Sequence, residues 1–206
     1  IRAATDEEVD AWFETIRPAN PQIPQRDLSI REIRPLSQIQ FNNSDAFGAK
    51  AANVAELRRI IPRNSPNGYA IPFYFYDEFM KAGDLYNEAQ AMMEQPLFRN
   101  SPLFRDALLR SFRQKIKDTP LPAWISEAVG ALQESIGPDT TLRLRSSTNN
   151  EDLEGFNGAG LYSSFTHYLD EGPLEKTVKQ VWASLWNYRA FEERDFWRID
   201  HFSAAM

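Results

Sequence analysis

The stretch from Thr141 to Tyr162, T-L-R-L-R-S-S-T-N-N-E-D-L-E-G-F-N-G-A-G-L-Y, most constrains what this chain can fold into. Its first residues read as a short strand, because alternation puts Leu142 and Leu144 on one face and Thr141, Arg143 and Arg145 on the other. Two guanidinium groups on one strand face are costly to bury, so that face must meet solvent or anions. The hydroxyl and amide cluster Ser146, Ser147, Thr148, Asn149 and Asn150 follows directly, then the acidic pair Glu151 and Asp152. Gly155, Gly158 and Gly160 come next, and a loop of this kind can fold over a ligand with its N–H groups pointing inward. Two readings are open at this point. One is a site for a phosphate-bearing ligand; the other is a surface hairpin whose arginines pair with Glu151 and Asp152.

A second informative unit lies far upstream. From Phe47-Gly48-Ala49-Lys50 to Ile61-Pro62, the spacing of Val54, Leu57, Ile60 and Ile61 predicts a helix that starts just after Gly48 and is stopped by Pro62. Lys50 in its first turn works against the helix dipole, which favours negative charge there. An anion at that N-terminus would account for the lysine, and an ordinary exposed lysine is the plainer alternative.

Elsewhere the chain reads as helices with a few short strands. Residues 4–17 read as an amphipathic helix capped by Thr5 or Asp6, with Val9, Trp12, Phe13 and Ile16 as its stripe. Pro18, Pro21 and Pro24 then read as an extended linker, so residues 1–40 are expected to be an appendage to a unit spanning 41–206. Ile30–Ile39 and Gly68–Pro72 read as extended chain, and Asp77 as the cap of a helix reaching Leu85. Residues 86–118 read as helical with a stripe of Leu103, Phe104, Leu108, Phe112 and Ile116, and a further helix runs to Leu132. Leu161 to Leu169 reads as a strand in which His167 is a core-edge residue rather than a base. After Pro173 one long helix carries Val178, Val181, Trp182, Leu185 and Tyr188 or Arg189, its tryptophans assigned to the core.

The chain of 206 residues is long enough to bury a real core, and five Trp and fourteen Phe can fill it. A net charge of −6 excludes the basic footprint of a nucleic-acid binder. With no cysteine and two histidines far apart, neither a disulfide nor a zinc site is expected. No apolar run reaches the length of a membrane span, and no signal peptide is evident, so a cytoplasmic protein is expected. The chain opens on Ile1 rather than Met and closes on Phe202-Ser203-Ala204-Ala205-Met206, and is expected to be part of a longer polypeptide.

Four segments in order carry a resemblance. Gly48-x-Lys50-x-Ala52-Asn53-x-Ala55-Glu56-Leu57 resembles the G-G-K-G-A-N-L-A-E-L segment of the phosphoenolpyruvate synthase and pyruvate phosphate dikinase family. Leu144-Arg145-Ser146-Ser147-x-x-x-Glu151-Asp152-Leu153 is similar to that family's V-R-S-S-A-x-x-E-D-L. Pro66 to Pro72 is similar to its P-x-G-F-x-V strand, and Trp182 to Ala190 to its W-A-S-L-W-x-x-R-A helix. The resemblance covers about residues 44–206. It implies an α+β fold, the first subdomain of an ATP-grasp-type nucleotide-binding domain, here with a helical N-terminal extension. It further implies that Lys50 and Arg145 are triphosphate ligands, with Ser146 and Ser147 hydrogen-bonding nearby and the loop containing Gly158 and Gly160 covering the phosphates. ATP and magnesium are then the expected cofactors, with metal ligands, carrier histidine and acceptor site in further domains of the same polypeptide. No catalytic residue and no phosphotransfer turnover are expected of these residues alone. Ala49 and Ala51 stand where the family has glycines, which supports a rival reading: a non-catalytic binding or regulatory module that keeps the fold.

Overall fold

A computed structural model describes residues 2–206 except 138, 152 and 154. The first helix, α1 (Asp6–Ile16), starts at a capping box. The Glu8 N–H donates to Thr5 Oγ1 at 3.3 Å, and the Thr5 N–H donates to the Glu8 carboxylate at 2.9 Å. Its apolar stripe is not a core face: α1 buries no residue, and Trp12 is 64% exposed. Among the described residues, only the ring of Phe13 in α1 makes an aromatic contact, edge-on to Phe196 at 5.5 Å.

The proline-rich stretch after α1 lies against the body of the protein. The Gln22 N–H donates to the Arg198 carbonyl at 2.8 Å, and the Asp200 N–H donates to the Gln22 carbonyl at 2.9 Å. Prolines hold the backbone extended, which leaves those groups free to pair sideways. Arg26 then reaches the Asp77 carboxylate at 3.2 Å, the Tyr86 hydroxyl at 3.1 Å and the Phe202 carbonyl at 3.3 Å.

The expected strand over Ile30–Ile39 is reduced to β1 (Arg34–Pro35) and a 3-10 turn, Leu36–Gln38. Pro35 has no N–H to extend a ladder. β1 pairs antiparallel with β2 (Tyr69–Ala70), and between them lie α2 (Ser44–Phe47) and α3 (Ala49–Ile60). A small cluster of Ile30, Leu36, Ile39, Ala46, Phe47, Ala55 and Ala70 is packed inside this part of the chain.

The main core is built by helices: α4 (Phe73–Ala82), α5 (Leu85–Glu94), α6 (Pro96–Asn100), α7 (Pro102–Asp118), α8 (Ala123–Ile136), α9 (Leu174–Ala183) and α10 (Tyr188–Phe196). Asp77 does not cap a helix. It sits in the middle of α4, fully buried, because the apolar run Phe73, Phe75, Tyr76, Phe79 and Met80 carries the helix back to Pro72. In α7 the buried face is Leu109, Phe112 and Ile116, whereas Leu103 is 78% exposed and Phe104 is also out in solvent. The expected stripe therefore holds only beyond the first turn. In α8, Ile125 and Val129 are buried, but Trp124 lies at the surface.

The helix after Pro173 is interrupted by a 3-10 turn at Ser184–Trp186. Ser184 causes this locally: its hydroxyl donates to the Val181 carbonyl at 2.6 Å and accepts the Ser163 N–H at 3.0 Å. The interruption turns Trp186 inward. As expected, both tryptophans are core: Trp182 stacks on Phe79 at 5.2 Å, and Trp186 meets Phe112 edge-on at 4.9 Å while donating to the Tyr76 hydroxyl at 3.1 Å.

The second small sheet pairs β3 (Leu142–Leu144) antiparallel with β4 (Phe165–His167), so that Arg143 lies opposite Thr166. Both strands are shorter than the alternation suggested. His167 is buried and shares a 2.8 Å hydrogen bond with Thr177 of α9, a structural role as read from the sequence. The architecture is α+β, with two small sheets carried on a helical body. Among the described residues, no helix is long and apolar enough to cross a membrane.

Candidate functional site

Two segments that are distant in sequence meet at the N-terminus of α3. Gly48 sits between α2 and α3 with φ +85° and ψ 154°, a region open in practice only to glycine. A Cβ there would lie 2.3 Å from Ser147 Oγ and 2.7 Å from the Ser147 and Thr148 backbone. The loop after β3 is thus pressed directly onto the backbone of Gly48. No residue beside α3 caps it; instead the Ala51 N–H donates to Ser147 Oγ at 3.0 Å. A hydroxyl from a loop nearly half the chain away takes the place of an N-cap.

Lys50, in that same first turn, has three oxygens within hydrogen-bond reach, the longest contact being Ser146 Oγ at 3.5 Å. Its ammonium donates to the Ser146 carbonyl at 2.7 Å and to Glu151 Oε1 at 3.0 Å. The Lys50 side chain is 36% exposed and that of Glu151 10%. A partly open lysine supported from behind by a more buried carboxylate keeps its charge at the surface of the site. Glu151 also anchors the loop that follows, because its carbonyl accepts the Gly158 N–H at 3.3 Å.

The two strand arginines differ. Arg143 donates to Thr166 Oγ1 at 2.9 Å across the sheet. Arg145 is exposed and, among the described residues, makes no hydrogen bond or ion pair. The hairpin pairing of these arginines with Glu151 does not occur, since Glu151 has Lys50; Asp152 lies outside the described residues. Arg145 therefore stands as an open cation beside Ser146, whose own side chain is buried. Ser147 has its oxygen committed to Ala51 and keeps its hydroxyl hydrogen to donate.

The glycines have distinct uses. Gly155 lets the chain cross the Trp197 ring, which a Cβ would approach to 2.8 Å. Gly158 is buried against Glu151, while Gly160, at φ +78°, faces open space. Phe156 and Leu161 are buried and pin the loop to the core.

Several contributing residues had no role assigned from the sequence. Asn149 donates to the Gln25 carbonyl at 3.0 Å and the Ser203 carbonyl at 2.9 Å, and accepts the Ala205 N–H at 2.9 Å. It joins the N-terminal stretch and the buried C-terminal Ala204–Met206 segment to the site loop. Asn150, Tyr162 and Arg194 form a buried group beneath the same loop. The signal available was the Asn149-Asn150 pair, since each amide carries both donors and an acceptor and can link groups that a hydroxyl alone cannot.

His201 closes that group. Its Nδ1 accepts from Arg194 Nε at 3.2 Å, and its ring stacks on Phe191 at 4.0 Å. Burial pushes its pKa below the ordinary value of 6.5. The Asp195 carboxylate opposes this, but at 4.0 Å from Nε2 it is beyond hydrogen-bond range, so burial prevails. The folded state thus favours the neutral ring. Its contribution to stability is complete above pH 6.5 and is lost as pH falls from there through the depressed folded value. The melting temperature is expected to drop as pH falls below 6.5, and His201→Asn, which retains an acceptor, should flatten that segment of the profile. An unchanged slope in the variant would assign the pH dependence elsewhere.

The arrangement can hold an anion: an unpartnered guanidinium, a lysine at a helix N-terminus and hydroxyl donors lie around one loop. Among the described residues, no group of three or more His, Asp or Glu side chains is gathered to hold a metal ion. The donors here suit phosphate oxygens and not a divalent cation.

Residues 44–206 match the family described as the pyruvate phosphate dikinase AMP/ATP-binding domain, and the chain belongs to that family. It is 27% identical to a phosphoenolpyruvate synthase from Aeropyrum pernix over 185 residues, 87% of this chain and 22% of that protein. A probable phosphoenolpyruvate synthase from Methanothermobacter thermautotrophicus is 30% identical over 181 residues, 85% of this chain and 26% of that protein. A rifampicin phosphotransferase from a Streptomyces species is 27% identical over 185 residues, 87% of this chain and 21% of that protein. The chain thus spans about a quarter or less of the length of these relatives.

Proposed function

We propose that residues 41–206 form the first subdomain of an ATP-grasp-type domain, preceded by a helical extension over residues 1–40, and that this subdomain holds the triphosphate of ATP. The observation that carries the reading is the docking of the Ser146–Thr148 loop on the N-terminus of α3, with Lys50 bonded to the Ser146 carbonyl and the exposed Arg145 next to Ser146 in the chain. Family membership supports the nucleotide, and the chemistry of this donor set supports the phosphates as the part held here.

Arg145 offers a planar fork that matches two phosphate oxygens, and Lys50 offers a point charge. Ser146, Ser147 and the Gly160 N–H add neutral donors around the same anion, while Gly158, whose N–H goes to the Glu151 carbonyl, shapes the loop that covers it. Glu151 keeps Lys50 aimed while the nucleotide is absent, and an arriving phosphate competes with it for the ammonium. ATP supplies the phosphoryl group, and its charge is what these residues offset. In the full polypeptide, acting in the cytoplasm, the group passes to a carrier histidine and then to an acceptor such as pyruvate. The magnesium ligands, the histidine and the acceptor site are assigned to domains beyond these residues. The alternative of a binding module without catalysis draws on Ala49 and Ala51, which stand where the family has glycines.

Calorimetric titration of MgATP tests the placement. Wild-type chain is expected to bind, and Arg145→Ala to bind at least about tenfold more weakly, the loss of one charge-assisted hydrogen-bonded pair. Equal affinity in the two proteins would remove Arg145 from the triphosphate and with it this assignment of the site.

A further inference from the structure

The loop that carries Gly158 and Gly160 is bracketed by two side chains that touch each other. Asn150 precedes it, Tyr162 ends it, and the Tyr162 hydroxyl donates to Asn150 Oδ1 at 2.9 Å within the buried interior. Beneath this contact lies Arg194 of α10, 0% exposed. Its Nη1 donates to the Tyr162 hydroxyl at 3.4 Å and its Nε to His201 Nδ1 at 3.2 Å. No carboxylate lies within ion-pair distance of this guanidinium among the described residues. A buried charge served only by neutral acceptors is costly, and such a cost persists where geometry matters more than stability.

A guanidinium can only donate. Its proton on the Tyr162 oxygen forces the hydroxyl hydrogen away from α10, towards Asn150. Asn150 must then present its carbonyl oxygen to Tyr162, which fixes the flip of the amide. His201 must accept through Nδ1, so its proton sits on Nε2. The polarity of the whole chain of contacts is set by Arg194 alone. Asn150 is followed directly by Glu151, which holds both Lys50 and the Gly158 N–H.

We infer that Arg194, acting through Tyr162 and Asn150, is the positioning residue of the glycine loop, setting where the Gly158–Gly160 backbone stands relative to Lys50 and Arg145. The consequence for ligand binding rests on the nucleotide reading above; the effect on the loop does not. Tyr162→Phe keeps the ring in its packed place and removes the one oxygen that links Arg194 to Asn150.

The test measures amide hydrogen exchange and nucleotide affinity in the wild-type chain, Tyr162→Phe, Asn150→Leu and the double variant. Each single variant is expected to exchange at least about tenfold faster over residues 155–161, with the α4 and α9 peptides unchanged, and the double variant no faster than either single. MgATP affinity should fall about tenfold, while AMP, which lacks the phosphates the loop would cover, should bind as before. Unchanged exchange in the loop, or acceleration spread evenly over the protein, overturns the positioning role. Selective loop acceleration with no MgATP binding by the wild type upholds the role and instead refutes the nucleotide reading.

Discussion

Gly48→Ala is expected to lower the melting temperature by about 6–12 °C and to abolish measurable MgATP binding. Two penalties combine. The backbone at φ +85° and ψ 154° lies in a region that costs a residue with a Cβ on the order of 1–3 kcal/mol. The added methyl would also stand 2.3 Å from Ser147 Oγ and 2.7 Å from backbone atoms, and backbone cannot rotate aside as a long side chain can. Overpacking of this kind costs about 1–3 kcal/mol. A combined loss of about 3 kcal/mol corresponds to the stated shift for a domain of this size. Relief of the clash requires the loop to leave the α3 terminus, which uncaps Ala51 and separates Lys50 from Ser146. Scanning calorimetry and titration on one preparation check both halves. A variant with an unaltered melting temperature would mean that the two segments are not pressed together as described.

Asp77→Ala should have an effect of similar size for a different reason. Asp77 is fully buried in α4, and three groups converge on it: Arg26 at 3.2 Å, Lys81 at 2.6 Å and the Tyr86 hydroxyl at 2.9 Å. Lys81 is 56% exposed and recovers its hydration on losing the partner, so its share is small. Arg26 and Tyr86 are not so placed. The proximity of the carboxylate and burial both push the Tyr86 pKa up, keeping it a neutral donor, and without Asp77 its hydrogen has no acceptor. The expected cost is about 2–4 kcal/mol, a drop of roughly 5–15 °C. Arg26 is also what draws the proline-rich stretch onto α4 and the Phe202 carbonyl. Limited proteolysis of Asp77→Ala is therefore expected to cut within residues 18–29 faster than in the wild type. Equal cutting rates would show that the Gln22 pairing alone holds that stretch in place.

Much of the fold could be read where one residue dominates its surroundings. Pro62 ends α3, Gly48 begins it, and Trp182 with Trp186 could only be buried. The reading failed where a side chain acts through something distant in sequence. Asp77 looks like a helix cap because Asp usually is one, and only Arg26, Lys81 and Tyr86 make its burial tolerable. The break at Ser184 depends on a partner at Ser163, which no periodicity within the helix can reveal. The stripe of α1 satisfies the rule for a buried face and yet buries nothing, since periodicity reports amphipathicity and not what covers it. At the site, the awkward charge of Lys50 was visible, but its carboxylate partner was assigned to the arginines, because strand alternation places Arg143 and Arg145 nearest to Glu151 in sequence. The Asn149 and Asn150 amides had no assigned role in the sequence; Asn149 fastens backbone segments together, and Asn150 accepts from the Tyr162 hydroxyl.

The remote cap on α3 has a consequence for the order in which the protein is made. Ser147 supplies the oxygen that Ala51 requires, across a separation of 96 residues. While the chain emerges N-terminus first, α3 can form its internal turns but cannot complete its leading end until β3 and the following loop have been synthesised. Closing so long a span makes this a late, entropically demanding contact. The α3 terminus that carries Lys50 thus matures only when the loop after Arg145 arrives, and a nascent chain ending before Ser147 carries that terminus uncapped.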